Sequence, residues 1–423
     1  MGTADAPQTG GMTHNASPVE PAAQCPLPEP LPPHRSSSSK RLVGVDLARG
    51  LAVFGMYAAH VGPDPAEGGL TGFVMELTHG RASALFAFLA GFSLVLITGR
   101  ERPLTGRAGR QAIGRVLIRA FVLIVVGTAL TKTGTPVDVI LAFYGLYFVL
   151  ALPLYRLRAG TLAAIAAGTA LVLPQVLHVV QASIHDGNWA QSVIRYDPFA
   201  RISGTQGFLD LLFTGNYPAL SWISFVIAGM ATARLDLRST AVRLRLAAVG
   251  GALVVLGHGG SWLALRLFPD AVDTIGETGG AGYNAPTSAW WSDTAGFPPK
   301  SPPAGWLAAG SPHSETTFSI LGATGVALIV LVGCLFAIDR LPRVRRAARP
   351  IIAVGTMSLT AYVLNIVGIR LLDIRDVPGS SLSTLLGFCV VAALFAVAWL
   401  RYFRRGPLEY LLNSATKLAR YVK

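Results

Sequence analysis

From Leu42 onward, apolar runs recur along the chain, each of roughly the 20 residues that a helix needs to cross a bilayer. They fall near residues 42–62, 82–99, 116–132, 137–155, 160–180, 217–233, 246–266, 315–338, 351–371 and 383–401. The pattern predicts an all-α, polytopic integral membrane protein of about ten transmembrane helices, since in lipid each span must satisfy its own backbone hydrogen bonds. The runs at 116–132 and 217–233 are the shortest, and fit either re-entrant segments or helices that extend into their flanks. Residues 1–40 read differently. They are rich in Pro, Ala, Ser and Thr and lack the apolar stretch of a secretory signal, which predicts a disordered tail. One membrane domain is expected over 41–405 and a basic C-terminal tail over 406–423. No internal repeat is evident, which argues against a carrier built from inverted halves.

Composition sharpens this picture. Of 423 residues, 52% are hydrophobic and only 13% charged, against about a quarter charged in soluble domains. The mean hydropathy is +0.51. A soluble enzyme, a disordered regulator and a coiled coil are thereby excluded. A net charge of +13 would point to nucleic acid in a soluble protein. Here the cations cluster in short loops, so orientation in a bilayer accounts for them and no nucleic acid is expected. With the N-terminal tail in the cytoplasm, the inner segments hold most of the 35 basic residues, among them Arg100, Arg102, Arg107, Arg110 and Arg115 in one loop. The long outer loops around 181–216 and 267–314 hold few. An even number of spans then puts both termini on the cytoplasmic side of the plasma membrane. Cys25, Cys334 and Cys389 form no CxxC pair, and neither a disulfide framework nor a metal site is expected.

Within this apolar background a few ionisable residues carry the candidate chemistry, because charge inside a span is costly and normally faces a bundle interior or water. The first span contains Asp46, Arg49 and His60. Asp46 and Arg49 are three residues apart and can meet on one helix face. Arg49 and His60 are eleven apart, about 20° beyond three full turns and roughly 16 Å along the axis, so they project from about the same face. One reading makes Asp46–Arg49 an interfacial anchor and His60 an ordinary helix end. The other makes them part of a polar tunnel, with Arg49 organising its inner part and His60 a base at its outer mouth. His79 and Arg81 precede the second span on the side of His60. His79 is a second candidate base, weaker because it lies outside the span, and Arg81 suits either an anionic group or a carbonyl oxygen, or serves as a plain interface anchor. His313 opens the eighth span and fits either the lining of the same mouth or a capped helix start. Trp290, Trp291 and Trp306, in a loop holding Asp270, Asp273, Glu277 and Asp293, suit loop packing or sugar stacking.

The Arg49-x10-His60 spacing, followed by the segment "GRASALFAFLAGFSL", resembles the transmembrane acyltransferase superfamily. The likeness is greatest to bacterial relatives of the heparan-α-glucosaminide N-acetyltransferase family. It extends through "YPALSWISFVIAGMATARL" (217–235), "SPHSETTFSILGATGVAL" (311–328) and "VGTMSLTAYVLNIVGI" (354–369). The resemblance implies transfer of an acyl group, most simply acetyl, from cytoplasmic acyl-CoA (acetyl-CoA) to an extracytoplasmic sugar or glycolipid acceptor. It puts Arg49 and His60 in the places of the superfamily's first-helix arginine and histidine. His79 is an approximate counterpart of a histidine in the first outer loop. Where the bacterial relatives often carry a histidine after "LTAY", this chain has Asn365, which leaves a hydrogen-bonding role there and no acid or base. Direct transfer and an acyl-histidine intermediate both remain open at this stage. The expected partners are the lipid bilayer, acyl-CoA and the outer glycan, with a homodimer left open. A carrier or exporter of a small anionic or lipid-linked substrate, using Arg49 and His60 as binding site and proton relay, is the competing class.

Overall fold

The structure, a computed structural model, describes residues 1–6, 10–11, 42–100, 102–280 and 285–422. The chain divides into Met1–Arg41 and Leu42–Lys423, and all described helices belong to the second unit. Most of the tail expected over 1–40 lies outside the described residues. The helices in the first part of the chain are α1 (Val43–Val61), α2 (Gly69–Glu76), α3 (Arg81–Thr98), α4 (Gly106–Thr131), α5 (Leu141–Ala151) and α6 (Ala159–Asp186). Next come α7 (Trp189–Tyr196), α8 (Pro198–Ser203), α9 (Ala219–Ala233), α10 (Thr240–Val254), α11 (Gly260–Leu267) and α12 (Pro269–Thr278). The chain continues through α13 (Thr317–Arg340), α14 (Pro342–Ala347), α15 (Arg349–Thr356), α16 (Ser358–Leu371), α17 (Leu382–Tyr402) and α18 (Pro407–Ala415). No β-strand occurs among the described residues.

Among the described residues, six helices are long and apolar enough to cross a membrane: Gly69–Thr98, Gly106–Thr131, Ala159–Asp186, Thr240–Leu267, Thr317–Arg340 and Leu382–Tyr402. A seventh is counted if α15 and α16, bent by 90° at Met357, form one span. The other expected crossings fall on α1 and on the shorter apolar helices Leu141–Arg156 and Ala219–Ala233.

Small residues decide which helices reach the centre, because in lipid close backbone approach does what hydrophobic exclusion does in water. Helix α3 lies against α9 so closely that a Cβ on Gly91 would meet the carbonyl oxygen of Val226, and one on Gly229 would meet that of Phe88. Helix α1 meets α15 in the same way, with Gly50 against the Ile351 carbonyl and Gly355 against that of Asp46. By contrast α6 and α17 leave Leu171, Val172, Val390 and Leu394 on the outside, the surface a bilayer would cover. Beyond the last long helix, α18 caps another one. The Glu409 carboxylate accepts from the backbone N–H of Leu359 (2.8 Å) and Thr360 (3.2 Å) and from Thr360 Oγ1 (2.6 Å). That satisfies donors a helix start leaves orphaned and puts negative charge at the positive end of α16. Asn365 stands two turns further along α16.

Candidate active site

Three imidazoles meet around one cavity at the end of the bundle where α1 finishes. His60 belongs to the last turn of α1, His79 to the turn between α2 and α3, and His313 to the loop that leads into α13. The cavity measures about 380 Å³, and Asp64, Asp138, Asp293, Lys300 and Glu315 also line it. Four carboxyl groups against one lysine make it acidic, suited to a cationic or hydrogen-bond-donating guest.

The turn that carries His79 has a physical cause. Gly80 adopts φ +63, a conformation L side chains seldom take, and a Cβ there would press into Pro312 (2.5 Å). Glycine thus lets the α2–α3 turn lie directly on the loop that carries His313. His79 and Asp293 are both buried, and the histidine's Nδ1 donates to Asp293 Oδ2 at 2.6 Å. A carboxylate on Nδ1 fixes the tautomer, leaving the lone pair on Nε2. Nε2 is buried and has no hydrogen-bond partner among the described residues. Arg81 steadies the same corner. Its guanidinium donates to the carbonyls of Glu76 (2.8 Å) and Trp291 (2.5 Å), tying the α3 start to the loop that carries Asp293 two residues on.

His60 and Asn365 form the second pair, with Nδ1 at 2.8 Å from the amide oxygen. Asn365 is therefore engaged with a histidine, and its Nδ2 is buried without a partner among the described residues. His313 stacks edge-on with Tyr217, ring centroids 5.4 Å apart. Its Nδ1 lies 3.4 Å from the Asn216 carbonyl. Burial lowers the pKa of His313, partly opposed by that carbonyl and by Asp138 and Asp293. The helix after it is also capped, by Thr316 accepting from Ser319 N–H at 3.1 Å. His313 thus lines the cavity, and the helix start after it is capped. A second cavity of about 290 Å³ shares Asp138, Thr214, Asn216 and Lys300 with the first and adds Asp210. Burial raises the pKa of Asp210.

Asp46 and Arg49 meet as their spacing predicts, at 3.4 Å, but far from the cavity. Arg49 Nη2 also donates to Ser93 Oγ on α3 at 2.6 Å. Arg49, Arg115 and Arg405 lie in the electrostatic neighbourhood of Arg119, whose Nε is buried without a partner among the described residues. Along α1 between Arg49 and His60, Val53, Met56 and Tyr57 are fully packed, and Tyr57 donates to the Ala361 carbonyl at 2.7 Å. The cavity includes His60 and stops short of Arg49. The continuous shaft expected between them is closed in this conformation.

Sequence reasoning missed Asp293, Asp138, Asn216 and Glu315 as site residues. Each lies in a segment whose polar composition is ordinary, and His79 and Asp293 are 214 positions apart. Among the described residues no group of three or more His, Cys, Asp or Glu is arranged to hold a metal ion.

A multi-span helical bundle with a buried imidazole–carboxylate pair on a polar cavity fits the transmembrane acyltransferase class. Residues 41–261, just over half of the chain, match the family described as heparan-alpha-glucosaminide N-acetyltransferase, catalytic. Residues 287–419 match a second family described as a protein of unknown function (DUF418). No curated protein matches the chain. The chain belongs to the heparan-alpha-glucosaminide N-acetyltransferase-related family of transmembrane acyltransferases. Both histidine pairs straddle the two matched regions: His60 and His79 come from the first, Asn365 and Asp293 from the second.

Proposed function

We propose that this protein acetylates the amine of an extracytoplasmic amino sugar, using acetyl-CoA from the cytoplasm. The observation that carries the proposal is the His79–Asp293 pair, buried in an acidic cavity with Nε2 unpartnered. In the scheme, His79 Nε2 takes a proton from the nitrogen as its lone pair attacks the thioester carbonyl, and Asp293 stabilises the imidazolium that results. The C–N bond forms, the C–S bond breaks, and the departing sulfur recovers the proton. His60, held by Asn365 on the same cavity, orients the thioester. Transfer is direct in this scheme. The adjoining cavity holds the next part of the glycan.

About ten crossings with both termini in the cytoplasm fit this arrangement. The basic loops then lie inside, and the three histidines lie at the outer face of the plasma membrane. On the inner side Arg49, Arg115, Arg119 and Arg405 suit the phosphates of CoA. The Arg119→Gln variant is expected to raise the KM for acetyl-CoA about tenfold, the size of one lost charge-assisted hydrogen bond, with KM for the acceptor little changed.

The test is radiolabelled acetyl-CoA supplied to purified protein in detergent. Label should appear on glucosamine and glucosamine-terminated glycans, and N-acetylglucosamine should remain unlabelled. Label on hydroxyl groups alone would overturn the amine assignment. Movement of an unmodified substrate through liposomes, with acetyl-CoA untouched, would instead favour a carrier.

A further inference from the structure

Amine acetylation has a requirement that one base does not meet. A sugar amine reaches an acidic cavity largely as an ammonium ion, which has no lone pair. One proton must leave before attack and a second during it. The cavity holds a carboxyl group placed for the first of these. Glu315 lies in the loop between His313 and α13, and both residues adopt left-handed backbone angles, φ 57 at His313 and φ 58 at Glu315. Non-glycine residues rarely sit there, and pairs held so tend to mark functional sites. Both residues line the two cavities. Glu315 forms part of the wall between the 380 Å³ cavity and a smaller one bounded by Arg81 and His258. Its oxygens accept from Ser221 Oγ and from Trp222 Nε1, the latter at 2.8 Å. Both anchoring donors come from α9 and are neutral, so hydrogen bonds from uncharged groups hold the carboxylate in place.

We infer that Glu315 is a second catalytic base, which binds the acceptor's ammonium group and removes its first proton so that His79 can take the second. The inference rests on the amine reading above. The ammonium gives one proton to Glu315, and the neutral nitrogen attacks the acetyl thioester. His79 takes the second proton and returns it to the sulfur. Glu315 then releases its proton to the solvent of the cavity, so one proton is liberated per turnover. Burial pushes the Glu315 carboxyl up to about 7, with the Ser221 and Trp222 hydrogen bonds pulling the other way. A base of that strength is matched to an amine near neutral pH. His60, His79, His313, Asp138, Asp293 and Lys300 line the main cavity with it. Arg81 and His258 face it from the smaller one, and Tyr147 and Tyr217 lie within its field.

The experiment compares the full-length wild type with Glu315→Gln, which keeps the shape of the side chain. Acetyl transfer is measured from pH 5.5 to 9 with glucosamine and with hydroxylamine, a weakly basic amine that is already neutral at pH 7. On glucosamine at pH 6.5 the variant should lose about 10²-fold in kcat/KM, a typical contribution of one positioned base. The loss should shrink as pH rises past the pKa of the amine itself, and should be at least about tenfold smaller with hydroxylamine. Equal losses with both amines at every pH would mean a structural role and would overturn the inference, as would an unchanged profile. If the wild type acetylates neither amine, the amine reading itself has failed and the inference falls with it.

Discussion

Replacing His79 by alanine is expected to lower acetyl transfer by about 10²–10⁴-fold, the range spanned by loss of a positioned general base. The chain should still fold, because His79 contributes one hydrogen bond at a turn whose shape is set by Gly80. Asp293→Asn should be nearly as damaging, for a different reason. An asparagine amide can present its NH₂ to Nδ1, which moves the imidazole proton to Nε2 and leaves the base without its lone pair. Asp293→Glu moves the carboxylate by one methylene and should restore part of the rate. In single-turnover measurements, acetyl-CoA binding should survive in all three variants while the chemical step slows. If His79→Ala retains more than about a tenth of wild-type kcat, His79 is not the base. The assignment would then pass to His60, the other imidazole held by a polar partner on the same cavity.

The second large effect is on stability. Gly229→Leu should cost about 3 kcal/mol or more, at or above the upper end of overpacking, because the obstruction is a backbone carbonyl of α3 and not the tip of a movable side chain. Gly91→Leu should behave alike from the opposite helix, where it meets the Val226 carbonyl. The double variant should be less damaging than the sum, since either change alone already forces α3 and α9 apart. Thermal unfolding in detergent, followed by loss of the monodisperse peak, measures all three. Gly251→Ala, on α10 with open space around it, is the contrasting case and should be neutral or mildly stabilising. A wild-type melting profile for Gly229→Leu would show that the α3–α9 contact is looser than described.

Most of the helical architecture was legible because hydropathy reports burial in lipid directly. The expected run at 217–233 is helix Ala219–Ala233, and the run at 383–401 lies inside Leu382–Tyr402. The exceptions follow from what hydropathy does not register. The run at 116–132 is only the apolar part of a 26-residue helix, whose first turns contain Arg107, Arg110 and Arg115. Arginine is a good helix former, so polarity ends the signal before the helix ends. The right-angle bend at Met357 has no proline to announce it. It is imposed by α1, against which Gly355 lies at the Asp46 carbonyl, and by Glu409, which caps the new helix start. The site was legible in halves. His60, His79 and His313 stand out in sequence as ionisable groups beside apolar runs. Of their partners, Asn365 is marked only by the resemblance and Asp293 not at all as a site residue, because long-range contacts leave no local spacing to read. Arg49 and His60 do lie on one helix, but Arg49 reaches Ser93 on α3 and His60 meets Asn365 on α16, and Val53, Met56 and Tyr57 fill the interval between them.

The central claim is that an acetyl group given up on one side of the membrane is captured by a base on the other. Sided proteoliposomes test it most directly, with labelled acetyl-CoA supplied only at the face bearing the basic loops and glucosamine only at the opposite face. The account predicts N-acetylglucosamine forming in the glucosamine compartment, at a rate that collapses in the His79→Ala protein. Product appearing only when donor and acceptor share a compartment, or at equal rates with and without His79, would contradict it.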